Sequence, residues 1–247
     1  MYIPRSSSPK KGKKVLENVY YFPENQMLDC NQYLIVDTDS EEMALFDTGN
    51  GRSLNSLFQG MESLNLDYRN IKKVFLTHEH VDHVLGLYPL IKALDDIEIF
   101  AYGETAKVLN EGDESKIFPG EWGIGPNMFG VQILPLEITK LDGLQEVQIF
   151  PEFKFQIYYT PGHSLGSICY YEKTKKILIP GDLVFIGGSF GRFDFSGGSL
   201  SKLVESIKFI NQLDVKYLLP GHMGISENGN QQIELSYRMV SSIGSYY

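Results

Sequence analysis

The chain has 247 residues, a net charge of −9 at neutral pH, 43% apolar residues and 21% charged residues. That length supports one sizeable core. No apolar run approaches the ~20 residues of a membrane span, and an acidic body disfavours nucleic acid, whose affinity rests on phosphate attraction. No secretory h-region opens the chain. Cys30 and Cys169 are the two cysteines; they are too few and too isolated for a disulfide framework and read as small core residues in a reducing cytoplasm.

Residues 1–14 carry Arg5, Lys10, Lys11, Lys13 and Lys14 and no acid, which reads as a solvated basic tail. Stretches 18–22, 32–37 and 43–46 are rich in Tyr, Ile, Val and Phe and predict strands; Asp47-Thr48-Gly49 breaks the run. Leu54, Leu57, Phe58, Met61 and Leu64 keep helical spacing. Residues 73–76 predict a buried strand, 89–94 a helix and 98–102 a strand. Residues 111–130 set Phe118, Trp122 and Phe129 among Gly and Pro with no period. They predict a long loop, read as one wall or lid of a substrate pocket. Strands follow at 146–149, 153–159, 167–171 and 176–179. Leu200, Leu203, Val204, Ile207 and Ile210 mark a helix capped by Ser199, then come a strand at 217–219 and a helix at 231–242. Each half runs from strands into βα units. This predicts an α+β chain of two face-to-face sheets with helices outside, in one domain over 1–247.

The chemistry concentrates in Thr77-His78-Glu79-His80-Val81-Asp82-His83, directly after a predicted strand. Imidazole and carboxylate are the donors that zinc and iron prefer. His78 and His80 are two apart, so in an extended segment they share a face; Asp82 and His83 are adjacent, must diverge, and suit a second ion. With only five histidines in the chain, HxHxDH has a chance frequency of roughly one in ten thousand. The other two histidines, in Pro161-Gly162-His163 and Pro220-Gly221-His222, each follow a strand and a Pro-Gly turn, and Asp182 in Pro180-Gly181-Asp182 repeats the arrangement. One histidine so placed is ordinarily a core or surface residue; all five so placed make a metal centre. Alternation points Glu79 away from the His78/His80 face, as a structural or exposed residue.

The order HxHxDH, PGH, PGD, PGH resembles the metallo-β-lactamase superfamily, and in particular its glyoxalase II-like branch. Asn31-Gln32-Tyr33-Leu34-Ile35, Phe46-Asp47-Thr48-Gly49 and the Gly-rich run Gly191–Gly198 extend the likeness over nearly the whole chain. The resemblance implies a four-layer αββα sandwich. It implies that His78, His80 and His163 hold one divalent ion, that Asp82, His83 and His222 hold another, and that Asp182 bridges them. A hydroxide between the ions would be the nucleophile, with Asp82 and Asp182 as the catalytic carboxylates and zinc, or else iron or manganese, as the metal. Asp47 would stand behind a ligand and orient it, a role as open from sequence as that of a turn-capping Asp. Arg192 is a candidate for holding a substrate carboxylate, or else an anchor of its own loop; Trp122 and Phe185 are further substrate-binding candidates.

Within the branch, Asp182 argues against antibiotic hydrolysis, since β-lactamases of this fold lack the bridging aspartate. The tRNA nucleases use a further histidine that this chain does not have. Acyl-homoserine lactonases place Tyr where Phe185 stands, and the stretch after His222 leaves room for one helix rather than a glutathione-binding domain. The expectation is a cytoplasmic binuclear hydrolase of a small-molecule thioester or ester, with a homo-oligomer as one option for its assembly and no nucleic-acid or membrane partner. The alternatives are a mononuclear iron persulfide dioxygenase of the same fold and, last, a metal-binding protein without catalysis.

Overall fold

A computed structural model describes residues 11–25, 28–118 and 125–244. Its first sheet takes the strands β1 (Lys13–Leu16), β2 (Val19–Phe22), β3 (Gln32–Val36), β4 (Met43–Phe46), β5 (Ile71–Phe75), β6 (Glu98–Ala101) and β7 (Thr139–Lys140), side by side in that order. The pairing is antiparallel from β1 to β4 and parallel from β4 to β7. The second sheet runs in the reverse of chain order through β8 (Glu146–Phe150), β9 (Phe153–Tyr159), β10 (Ile168–Glu172), β11 (Ile177–Ile179) and β12 (Tyr217–Leu218). It is antiparallel except for the parallel pair β11 and β12. The helices are α1 (Leu54–Ser63), α2 (Val81–Val84), α3 (Leu87–Ala93), α4 (Gly103–Glu111), α5 (Glu114–Ile117), α6 (Leu200–Ile210) and α7 (Gly229–Gly244).

Period-two alternation along the strands sorts the apolar side chains into three cores. In β3 and β4, Tyr33, Ile35, Ala44 and Phe46 face the second sheet, while Leu34, Met43 and Leu45 face the other way, onto α1, α3 and α4. In β10 and β11, Ile168, Tyr170, Ile177 and Ile179 enter the core between the sheets. Cys169, Tyr171 and Leu178 pack instead under α6 and α7. The layers are therefore helix, sheet, sheet, helix, and strands buried on both faces read as unbroken apolar runs. Phe46 sits at the middle of the inter-sheet core, with Phe75, Phe155 and Tyr170 at ring-centre distances of 5.4, 5.5 and 5.2 Å. Truncating a ring buried this completely costs about 3–5 kcal/mol.

Local signals hold where they are strong. Ser199 caps α6 by accepting from the Lys202 backbone N–H, and Leu203, Ile207 and Ile210 are its buried face. The basic tail is shorter than its charge suggests, because Lys13 and Lys14 form the start of β1. Lysine on the outermost strand also discourages edge-to-edge pairing. The 111–130 stretch is not wholly loop: it holds α5 and a 3₁₀ turn at Pro126–Met128. Phe118 and Phe129 pack on the first core with their rings tilted and 6.2 Å apart. Trp122 lies outside the described residues.

Candidate metal centre

Every candidate ligand follows the C-terminal end of a strand. Asp47 follows β4, His78 to His83 follow β5, His163 follows β9, Asp182 follows β11 and His222 follows β12. The chain leaves β5 extended through His80 and then turns into α2, which carries Asp82 and His83. The Pro-Gly turns aim the rest. Gly221 could not be any other residue: a Cβ there would collide with Asp182 Oδ1 and lie 2.8 Å from His83 Cε1. Asp47 is held at φ 56°, a left-handed conformation that Asp tolerates better than most residues and that marks a place where surroundings over-determine the backbone.

The side chains form two linked sets. His78, His80 and His163 bring their donor atoms together, and so do Asp82, His83 and His222. His80 Nδ1 and His163 Nε2 face each other at 2.8 Å. Asp182 reaches both sets: Oδ1 lies 3.3 Å from His83 Nε2, and Oδ2 lies 3.1 Å from His222 Nε2 and 3.6 Å from His163 Nε2. Asp82 Oδ2 is 3.2 Å from His222 Nε2. His78 Nε2, His83 Nε2 and Asp182 Oδ1 are buried without a hydrogen-bond partner. Buried polar atoms are rarely left so, and three aimed into one space fit a cation between them.

The reverse sides of the imidazoles explain which nitrogen points inward. A carboxylate only accepts, so Asp47 Oδ2 takes the Nδ1–H of His83 at 2.9 Å. Asp47 also accepts from the Thr77 hydroxyl and backbone N–H, each at 2.8 Å. Having donated there, Thr77 Oγ1 accepts from His78 Nδ1 at 3.0 Å. His163 Nδ1 donates to the Arg192 carbonyl at 2.7 Å, and His222 Nδ1 to Glu24 Oε2 at 2.7 Å. Four rings thus have Nδ1 occupied and Nε2 turned to the centre, the arrangement in which outer hydrogen bonds orient metal-ligating histidines.

Residues 26–222 match the model of the metallo-β-lactamase superfamily. The chain belongs to that superfamily. It is 32% identical over 207 residues to hydroxyacylglutathione hydrolase GloC of Haemophilus influenzae, covering 78% of this chain and 86% of that protein. It is 29% identical over 202 residues to the human acyl-coenzyme A thioesterase MBLAC2, covering 74% of this chain and 70% of that one. The structure of TTHA1623 in a di-iron-bound form superposes with a TM-score of 0.65 at 26% identity, over 85% of this chain and 96% of that one. The metallo-β-lactamase family protein TTHA1429 of Thermus thermophilus gives 0.74 at 19% identity, over 93% and 81%, which speaks to fold. Like its named relatives, this superfamily member is an enzyme of the hydrolase class.

The electrostatics of the enzyme's two ligand sets differ. Burial pulls His78 well below the ordinary imidazole range, with His83, His80 and His163 adding to it. Burial, then His163, brings His80 down to about 3, and burial lowers His163 as well. These rings are neutral and ready to donate lone pairs. Burial also acts against protonated His83 and His222 but loses. Cys30, Asp182 and Asp47 around His83, and Asp182, Asp82 and Glu24 around His222, raise both well above their usual value. Burial likewise opposes the charged forms of Asp82 and Asp182. His222 and His83 override it, leaving Asp82 at about 2 and Asp182 well below the ordinary carboxylate range.

The centre opens into a cavity of about 590 Å³, a size typical of small-molecule sites. Phe185 lines it and stands edge-on to His222, and Phe118 lines it from the far side. Arg192 is on its rim, but the guanidinium is forked onto Asp194 at 2.9 and 2.7 Å and lies over the Phe195 ring at 4.5 Å. This pairing ties Arg192 to its own loop. Glu79 is buried rather than exposed, accepting from the hydroxyls of Thr105 and Ser164 and the Gly166 N–H. It ties the His78–His80 segment to the His163 turn. Sequence reasoning missed Glu24, which lies 198 residues from His222; no local pattern signals it. It also missed Asn31 and Tyr33, which hold the His222 turn through the Pro220 carbonyl at 2.9 and 2.6 Å.

Proposed function

We propose that the chain is a binuclear metal-dependent hydrolase that cleaves a small-molecule ester or thioester. The observation that carries this reading is Asp182, whose carboxylate approaches His163 of one set and His83 and His222 of the other. His78, His80 and His163 would hold one ion, Asp82, His83 and His222 the other, with Asp182 between. The donors suit zinc first and accept iron or manganese. Bound divalent ions supply Lewis acidity, polarising a carbonyl and acidifying water to near neutral pH.

The chain's own residues do the rest. Asp82 and Asp182 line the cavity and are the catalytic carboxylates, placed to accept hydrogen bonds from a water between the ligand sets and so to orient it. Asp47, Thr77, Glu24 and the Arg192 carbonyl fix the rings. The phenylalanine walls limit bulk water, which strengthens every charge interaction inside. The same reading takes 1–247 as one domain acting in the cytoplasm. It draws support from the hydroxyacylglutathione hydrolase and acyl-coenzyme A thioesterase relatives. The test is metal analysis of the replete protein together with a screen of esters, thioesters and glutathione persulfide. Two ions per chain with ester or thioester cleavage is expected. One iron per chain with oxygen uptake on persulfide would replace this reading with the dioxygenase.

A further inference from the structure

The cavity above the candidate centre is walled by phenylalanine. Phe118, Phe185, Phe190 and Phe195 all line it. Phe195 stands edge-on to His80 and His163, with ring centres 5.6 and 5.8 Å apart, and Phe185 edge-on to His222 at 5.7 Å. Apolar surface therefore reaches the candidate ligands from both sides and is not confined to the mouth. A substrate group beside the candidate ligands meets these rings.

The charged groups of the wall are already engaged. Arg192 is the only Lys or Arg among the described lining residues, and its fork closes on Asp194. Glu24 accepts from His222 and from the Met223 N–H. Asp29 accepts from the Asn25 and Asn50 N–H groups and the Ser53 hydroxyl. An anionic group lying along the phenylalanine wall would shed water against phenyl rings, where the wall's guanidinium is already paired with Asp194, a heavy penalty. An uncharged hydrocarbon entering the same space gains from its burial.

Resting on the hydrolase reading above, we propose that the substrate presents an uncharged, apolar acyl group, a medium-length alkyl chain or an aryl ring, to the phenylalanine wall. Any charged carrier on the leaving side stays outside it. In the reaction the oxygen of water bonds to the acyl carbon and the C–O or C–S bond breaks. The products are the carboxylic acid and the alcohol or thiol, which takes up the proton.

The experiment uses the metal-replete full chain and measures kcat/KM on 4-nitrophenyl acetate, butanoate, hexanoate and octanoate. The 4-nitrophenyl hemiesters of succinate and adipate and S-lactoylglutathione complete the set. We expect kcat/KM to rise about three- to fourfold per buried methylene from acetate to hexanoate. The adipate hemiester should fall more than tenfold below hexanoate. Phe118→Ala and Phe190→Ala should each lower kcat/KM on hexanoate more than on acetate, with metal content at the wild-type level. A flat or falling chain-length profile, or a tenfold preference for the hemiesters or S-lactoylglutathione, overturns the inference and leaves the hydrolase reading intact. Absence of any ester or thioester cleavage from a fully metal-loaded sample overturns both.

Discussion

On the binuclear reading, replacing Asp47 separates the roles of the two candidate ligand sets. Its carboxylate, 2% exposed, accepts from His83 Nδ1 and twice from Thr77. In Asp47→Ala, the Thr77 N–H and the His83 Nδ1–H lose their acceptor. At about 1–3 kcal/mol for each stranded buried donor, the loss is about 2–6 kcal/mol. Alanine at φ 56° adds about 1–2 kcal/mol. That is a large part of the stability of an ordinary domain, so Asp47→Ala is expected to fold poorly. Asp47→Asn keeps the shape and the tolerance of this backbone conformation. The amide oxygen still serves the Thr77 N–H, but the amide nitrogen now faces His83 Nδ1 and the Thr77 hydroxyl. Imidazole then moves its proton to Nε2, the atom turned toward the centre. Loss of such an outer partner costs 10–100-fold in metal affinity, about 1.4–2.7 kcal/mol. We expect Asp47→Asn to lose the ion at Asp82/His83/His222 at about 10–100-fold lower chelator concentration than wild type, while the ion at His78/His80/His163, reached from Asp47 only through the Thr77 hydroxyl, is weakened less. Dialysis against graded chelator with elemental analysis reads both. An Asn variant that holds two ions with wild-type affinity would refute the orientation argument.

Three further outcomes follow from the same geometry. Asp182→Ala should weaken both ions and abolish turnover, whereas Asp194→Ala, whose partner is the exposed Arg192, should do far less; equal mild effects in metal analysis and activity would contradict the placement of Asp182. Glu24→Gln should weaken the His222 side alone, by about 10–100-fold, read by the same chelator titration; an unchanged titration would remove Glu24 from the centre. The metal-free protein should lose stability in mild acid. His78, His80 and His163 are lowered in the folded state, so from about 6.5 downward the unfolded chain binds protons that the folded chain refuses, and stability falls with pH. His83 and His222, raised, are protonated in both states below that point and add no slope there; the lowered Asp82 and Asp182 add a loss of the same sign only below about 3.8. Thermal unfolding of chelated protein between pH 7 and pH 4.5 should show a steady decline, and a flat profile would count against neutral imidazoles.

What could be read in the chain depended on how local the signal was. The strand-to-ligand turns were legible because each packs an apolar run, a Pro-Gly turn and a donor into a few residues, as in Ile179-Pro180-Gly181-Asp182. The layers were legible because each half runs from strands into βα units; the division of β3, β4, β10 and β11 between cores was not, since these strands are apolar on both faces. Helix α4 was not, since it opens on Gly103 and buries Thr105 and Ala106 beside Val108 and Leu109, a face that tertiary packing rather than hydrophobic period defines. β1 was hidden by its lysines. Glu24, Asn31 and Tyr33 act on a turn nearly two hundred residues away, and no spacing rule reaches that far. Glu79 was placed correctly as facing away from the ligands, but its burial depends on Thr105 and Ser164 closing over it.

The candidate ligands are divided between the halves of the molecule. His78, His80, Asp82 and His83 leave the first sheet, and His163, Asp182 and His222 leave the second. On the binuclear reading, neither half can complete either coordination set, so each ion is a rivet through the seam where the sheets meet. Asn31 and Tyr33, reaching from the first sheet to the Pro220 carbonyl, and Glu79, reaching to Ser164 and Gly166, pin the same seam without metal. The halves can then dock before any ion arrives, and the ions lock a joint that the protein has already drawn closed.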